Sequence, residues 1–225
     1  MTRKKGGNPP KGGLRVRVKT AKGRKKSSIK WLDRQLNDPY VRMANKEGYR
    51  SRAVYKLLEI NDKYDFLKPG ALVVDLGAAP GSWAQIATKL GAKIIGIDLQ
   101  EIEPIKGAEF ITGDFLDEEV YSFLKSRIPS GVDAVLSDMA AASCGHAATD
   151  HIRIMGLCEA ALDFALTILK PGGLFLAKVL KGGTEKELLK IMKEKFSVVK
   201  HIKPQASRKD SAEMYVIATG YKGHS

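Results

Sequence analysis

The sequence predicts an α/β protein built around a doubly wound, mostly parallel sheet. From about residue 72 onward, short apolar runs alternate with segments of helical periodicity, which is the order that βαβ units produce. The apolar runs are continuous, as expected for parallel strands covered by helices on both faces. The last two runs are joined only by a polar loop, so we expect the sheet to end in a C-terminal antiparallel hairpin.

The elements follow in a regular order along the chain. A helix is expected from about Ser51, because Ala53, Leu57 and Ile60 recur at helical spacing. The predicted strands are, in order, "ALVVDLG", "AKIIGIDL", "AEFITGDF", "VDAVLSD", "GGLFLAKVL", "FSVVKHIKP" and "AEMYVIATGY". The helices expected between them follow Gly81, span about 117–125 and 151–169, and start at Thr184, which has capping-box spacing with Glu187.

Basic residues are concentrated near the N-terminus. The chain has 38 Lys and Arg against 25 Asp and Glu, and its first 30 residues contain 12 of the basic residues and no acidic one. We therefore expect residues 1–27 to form a disordered basic arm and residues 28–225 to form one globular domain. Because Lys and Arg displace counterions from a phosphate backbone, the arm favours nucleic-acid binding over the alternative of a solvated tail.

Other classes of protein are disfavoured by what the sequence contains. No apolar run approaches the roughly 20 residues of a membrane-spanning helix, and no signal-peptide pattern follows the basic start. We expect a cytoplasmic protein that does not bind membranes. Its two cysteines, Cys144 and Cys158, lack paired CxxC spacing, so reduced thiols are expected and a metal site is not. A monomer is the default expectation.

A glycine turn follows the first predicted strand at Gly77-Ala78-Ala79-Pro80-Gly81. In dinucleotide-binding folds this turn usually has the sequence GxGxxG, which lets backbone N–H groups approach a pyrophosphate. Here Pro80 has no N–H to donate, and Ala79 replaces the close-approach glycine. Asp98, at the end of the second strand, is placed to accept bonds from ribose hydroxyls, and Asp114 follows the third strand. A nucleoside without pyrophosphate, such as S-adenosylmethionine, fits this pattern, and a plain strand-to-helix turn is the alternative.

Four charged residues stand at helix and strand ends in unusual positions. Asp138 follows "AVLS", Lys178 follows "LFLA", Glu213 precedes "MYVIATG", and Lys56 lies on the early helix. Each alone is most simply a surface ion pair. Lys178 is harder to explain in that way, because a buried ammonium is costly unless it is paired or its pKa shifts.

Several segments together resemble those of one family. "EGYRSRAVYKLLEI", "VVDLGAAPGSW", "GDF", "SDMA", "LAKV" and "AEMYVIATG" occur in the order and spacing of the FtsJ-type ribosomal RNA 2'-O-ribose methyltransferases. The resemblance spans about residues 28–221, and it is greatest to members that methylate a uridine in the A loop of 23S rRNA. It implies a Rossmann-like, S-adenosylmethionine-dependent methyltransferase fold and a substrate within the large (50S) ribosomal subunit, late in assembly.

The resemblance also implies roles for individual residues. The catalytic tetrad would be Lys56, Asp138, Lys178 and Glu213, and the cofactor contacts would be Gly81, Trp83, Asp98, Asp114 and Asp138. A ribose 2'-hydroxyl needs a general base, and Lys178 can serve only when neutral. Lys56 would lower the pKa of Lys178, while the two carboxylates would raise it, and the sequence leaves the balance open.

RNA rather than DNA follows if the acceptor is a 2'-hydroxyl. A basic rim that contacts phosphates is expected at Arg34, Arg50, Arg52, Lys181, Arg208 and Lys209. Three other functions stay open: a noncatalytic RNA-binding ribosome-assembly factor on the same fold, an NAD-dependent oxidoreductase, which Pro80 disfavours, and a methyltransferase that acts on a base or a protein.

Overall fold

The computed structural model describes residues 16–18, 23, 26–140, 144–182, 186–208 and 210–223. The strands are β1 (Leu72–Leu76), β2 (Lys93–Asp98), β3 (Ala108–Thr112), β4 (Val132–Ser137), β5 (Leu169–Leu180), β6 (Phe196–Ile202) and β7 (Glu213–Tyr221). The helices are α1 (Lys26–Asn37), α2 (Pro39–Glu47), α3 (Ala53–Tyr64), α4 (Ser82–Lys89), α5 (Glu118–Arg127), α6 (Ala147–Ile168) and α7 (Lys186–Lys195).

All seven strands form one sheet in the order β3-β2-β1-β4-β5-β7-β6. The pairs from β3 to β5 are parallel, and β7 pairs antiparallel with both β5 and β6. The predicted fold class and the C-terminal hairpin are therefore confirmed. The second strand of the hairpin is inserted between β5 and β6, which leaves β6 at the edge. Because the strand order reverses at β1, the carboxyl ends of β1 and β4 flank the topological switch point, where open α/β sheets bind ligands.

Two apolar layers cover the sheet. One layer packs α5, α6 and α7 against it through residues such as Leu124, Leu162 and Met192. The other packs α3 and α4 through Leu57 and Ile86. Burial on both faces is the physical reason why β1, β2, β4 and β5 read as continuous apolar runs, whereas β3, at the edge of the sheet, is only partly buried.

The N-terminal part of the described chain differs from the sequence prediction. Helices α1 and α2 were not predicted, although Asp38-Pro39 is a strong helix start: the Asp38 carboxylate accepts from the Tyr40 and Val41 amides, and proline occupies the first turn. The predicted boundary at residues 27 and 28 falls inside α1. Within the arm, the Val16 backbone exchanges two hydrogen bonds with the Asn37 side chain.

Three smaller points concern the second half of the chain. Helix α6 begins four residues earlier than predicted, because the His146 side chain accepts from the Thr149 amide and caps it. The predicted cap at Thr184 lies outside the described residues. Cys158 is buried, Cys144 is exposed, and both are free thiols.

No helix in the described ranges combines the length and apolar character needed to cross a membrane.

Candidate active site

The turn after β1 is tied to the neighbouring strand by its own backbone amides. Gly77 has φ +74°, and a Cβ there would lie 2.5 Å from the Met139 side chain, so only glycine fits. The Gly77 amide donates to the Ile97 carbonyl (2.9 Å), and the Ala78 amide donates to the same oxygen (3.2 Å).

 
The Ala79 amide donates to the Asp98 carboxylate (2.9 Å). Since Pro80 has no N–H, the amides of this turn are not arranged to hold a phosphate.

The carboxyl ends of β1, β2 and β4 and the facing side of α6 enclose an open cleft of about 680 Å³. Asp98, Asp114 and Asp138 reach it from the ends of β2, β3 and β4. Leu99 and Leu116 line it with side chains that are 73% and 64% exposed, so apolar surface faces the open space. The remaining lining residues are Gly77, Ala79, Ile97, Gln100, Gly113, Phe115, Met139, Ala140, Arg153, Gly156 and Leu157.

The predicted tetrad is assembled at one end of this cleft. Lys178 Nζ lies 2.7 Å from Asp138 Oδ1 and 2.8 Å from the Asp138 backbone oxygen. The same Nζ lies 3.5 Å from Glu213 Oε1, which also pairs with Lys56. The two lysine side chains are only 10% and 11% exposed. Residues from α3, β4, β5 and β7 therefore form one continuous chain of alternating charges.

Tyr215 is a member of this group that the sequence analysis missed. Its hydroxyl donates to Asp138 Oδ1 at 2.6 Å and lies 3.2 Å from Glu213 Oε1. Its ring lies 5.7 Å from Lys56 Nζ. Tyr215 follows Glu213 by two residues on β7, so the strand period places both side chains on one face of the sheet. The two-residue spacing between Glu213 and Tyr215 in a predicted strand was the feature of the sequence from which Tyr215 could have been found.

The charges of the tetrad determine its protonation. Burial alone would lower the pKa of Lys178, but Asp138 and Glu213 outweigh it, and the pKa is raised. For Asp138, burial acts to raise the pKa, and the two lysines outweigh it, so this pKa is lowered. Burial, followed by the same carboxylates, raises the pKa of Tyr215 well above its usual value. At neutral pH, Lys178 is therefore an ammonium, Asp138 is a carboxylate and Tyr215 is a neutral phenol.

The five residues predicted to contact the cofactor fall into two groups. Asp98, Asp114 and Asp138 line the cleft, whereas Gly81 and Trp83 are not among its lining residues. Gly81 has φ +93° and begins α4. The Trp83 indole donates to the Ala53 carbonyl (3.0 Å) and its ring packs 6.2 Å from that of Tyr215. Trp83 therefore supports the tetrad from the side of α3.

Three of the six residues of the predicted basic rim are engaged within the protein. Arg50 donates to the Pro80 and Glu103 carbonyls, both at 2.8 Å. Arg52 pairs with the buried Asp38, and Arg208 lies 3.2 Å from the same carboxylate. Arg34 and Lys181 are exposed, and Lys209 lies outside the described residues. Within the described ranges, no cluster of three His, Cys, Asp or Glu side chains is arranged to hold a metal ion.

Comparison with known proteins places this chain in a family. Residues 49–221 match the FtsJ-like methyltransferases. The chain is 54% identical to the ribosomal RNA large subunit methyltransferase E of Parvibaculum lavamentivorans, over 99% of this chain and 95% of the relative. It is 55% identical to the protein of that name from Cereibacter sphaeroides, over 94% of this chain and 91% of the relative.

A solved structure gives the same result. The crystal structure of a ribosomal RNA methyltransferase from Plasmodium falciparum is 31% identical and superposes with a TM-score of 0.70, covering 78% of this chain and all of that one. The sheet order, the family match and the relatives agree, and the chain belongs to the FtsJ-like methyltransferase family.

Proposed function

We propose that the protein transfers a methyl group from S-adenosylmethionine to the ribose 2'-hydroxyl of a uridine in the A loop of 23S rRNA. The acceptor would be the large ribosomal subunit, late in its assembly. The observation that carries the proposal is the buried Lys56–Glu213–Lys178–Asp138 chain at the end of an open cleft. The names of the relatives support rRNA as substrate, and the resemblance of the sequence motifs supports the uridine and the 2'-oxygen.

The cleft suits a nucleoside that carries a positive charge. Three carboxylates line it, against one cation, Arg153, among its described residues, and this balance disfavours a polyphosphate. Asp98 and Asp114 offer oxygen acceptors for hydroxyl and amino groups, and Leu99 and Leu116 offer apolar surface for a base. S-adenosylmethionine, when bound, supplies a methyl group activated by a positively charged sulfur.

Lys178 is the residue best placed to accept the proton of the attacking hydroxyl. Asp138 holds its amine through a side-chain and a backbone oxygen, so the orientation of Nζ is determined by two contacts. Glu213 contacts Lys178 and pairs with Lys56, which positions both lysines. For transfer, Lys178 would first release its own proton to water; its neutral amine would then take the proton of the 2'-hydroxyl as that oxygen bonds to the methyl carbon and displaces S-adenosylhomocysteine as the leaving group.

The proposal is tested by transfer of labelled methyl from S-adenosylmethionine to large subunits that lack the modification. Naked 23S rRNA and a DNA copy of the A loop serve as parallel substrates. We expect label in 2'-O-methyluridine after digestion to nucleosides, more with subunits than with naked rRNA, and none with DNA. Label on a base would contradict the ribose assignment. Tight rRNA binding without any label would instead favour the noncatalytic assembly factor.

A further inference from the structure

Three lysines form an outward-facing line on α7, away from the site described above. Lys186, Lys190 and Lys193 are all exposed, and at 3.6 residues per turn they fall within about 60° of the helix circumference. Leu188 and Met192 on the opposite side of the helix are buried in the core. We call Lys186, Lys190 and Lys193 the lysine stripe.

Helix stability explains only part of the lysine stripe: the helix dipole favours Lys193 in the last turn of α7 but not Lys186 in the first turn. Its members are spaced i, i+4 and i+7, which puts like charges next to each other and destabilises a helix slightly. Within the described part of the chain, none of the three makes an ion pair. With Leu189 and Glu194 they line a shallow depression. The stripe is therefore an exposed positive surface whose three described lysines are not held in ion pairs, with Glu194 as the acidic residue in the same depression.

The topology connects the stripe with the candidate active site. Strand β5 runs toward the edge of the sheet where Lys178 lies, and β6 runs parallel to β5 because both are antiparallel to β7. Helix α7 joins β5 to β6, so it starts at the active-site edge and runs away from it. Lys186 is at the near end, and Lys193 lies about 10 Å farther along the helix axis. Lys181, between β5 and α7, is also exposed.

We propose that the lysine stripe binds the phosphate backbone of rRNA outside the nucleotide that is methylated. This inference rests on the proposed function, since it supplies an RNA substrate larger than the target nucleotide. Lysine ammonium groups bind phosphates as point charges, and such contacts position a protein on RNA without reading its sequence. The stripe would act on RNA affinity and leave the chemical step unchanged, because none of its residues lines the cleft.

The experiment compares two triple variants of the full chain. One carries Lys186→Gln, Lys190→Gln and Lys193→Gln. The control carries Lys68→Gln, Lys93→Gln and Lys106→Gln, which removes the same charge from exposed lysines at or before the starts of β1, β2 and β3, the opposite edge of the sheet. Affinity for a naked 23S rRNA fragment containing the A loop is measured between about 50 and 200 mM salt, with thermal unfolding as the folding control.

We expect the stripe variant to bind the fragment at least about tenfold more weakly at the lowest salt, and to show a log-affinity against log-salt slope smaller by about two to three. Its kcat at saturating RNA should equal that of the wild type, and the control variant should retain the wild-type slope. Equal slopes for both variants would overturn the inference. So would weakening that appears with whole subunits but not with naked rRNA, which would indicate an acidic protein partner. If the wild type methylates no RNA, the proposed function fails, and the slopes still decide on the stripe.

Discussion

At the scale of single residues, Lys178 is held in the charge state opposite to the one a general base needs. The carboxylates of Asp138 and Glu213 orient its amine and also raise its pKa. The same contacts therefore position the base and keep it protonated at neutral pH.

Replacing Lys178 separates its charge from its ability to take a proton. Lys178→Ala should keep cofactor binding and lose nearly all methyl transfer. Lys178→Arg keeps a cation beside Asp138, but a guanidinium does not deprotonate in proteins, so it should be similarly inactive. Single-turnover methyl transfer and calorimetric binding of S-adenosylhomocysteine measure both properties. Transfer within a few-fold of wild type by either variant would exclude Lys178 as the base.

The raised pKa of Lys178 predicts how the rate depends on pH. Because only the neutral amine accepts a proton, and its pKa lies above the ordinary lysine value, the active fraction grows as pH rises. The single-turnover rate should increase by about tenfold per pH unit between about pH 7 and 9. Asp138, whose pKa is lowered, stays ionised throughout this range. A rate that is flat with pH would show that the hydroxyl proton does not go to this lysine.

At the scale of elements, Gly96 determines how closely the glycine turn approaches β2. A Cβ on Gly96 would lie 2.7 Å from the Ala78 Cβ and 2.8 Å from the Phe110 ring. Gly96→Ala should therefore displace the turn and lower the free energy of unfolding by about 1–3 kcal/mol. It should also weaken binding of S-adenosylhomocysteine, because the displaced turn borders the cleft.

Gly156 on α6 provides the control for this substitution. Among the described residues, no atom outside the helix's own backbone and the two chain neighbours lies within 4 Å of the position of its Cβ, so Gly156→Ala adds helix propensity without a clash. This change should raise the free energy of unfolding by about 0.5–1 kcal/mol. Chemical denaturation of the two variants without ligand measures both effects. Effects of the same sign would contradict the packing explanation.

Elements differ in how well the sequence predicts them. Strands β1, β2, β4 and β5 were predicted because burial on both faces requires continuous apolar runs. Helices α1 and α2 were missed, since their apolar residues are few and their position depends on tertiary contacts such as the Arg52–Asp38 ion pair. The antiparallel hairpin was predicted, but the insertion of β7 beside β5 is a matter of long-range pairing, which no local pattern encodes.

At the scale of the whole molecule, the basic arm, residues 1–27, contributes 11 of the net charge of +13, and the rest of the chain is nearly neutral. If the arm binds rRNA, its contacts with phosphates should dominate the salt dependence of affinity. Changing Arg3, Lys4, Lys5, Lys11 and Arg15 to Gln should reduce the log–log slope by as much as about four, with unchanged kcat at saturating RNA. The affinities are measured on the 23S rRNA fragment used for the lysine stripe. An unchanged slope would leave the arm as a solvated tail.

The sequence by itself determined the fold class and the mostly parallel sheet, because burial patterns are local properties of the chain, and its resemblance to one family predicted the four residues of the tetrad. Only the tertiary structure decided how these residues share their charges. Glu213 lies between two lysines, and Tyr215 bonds to Asp138, because β7 pairs with β5 across a long sequence separation. The direction of the Lys178 pKa shift follows from those distances, since burial and neighbouring charges act in opposite directions and their balance depends on geometry.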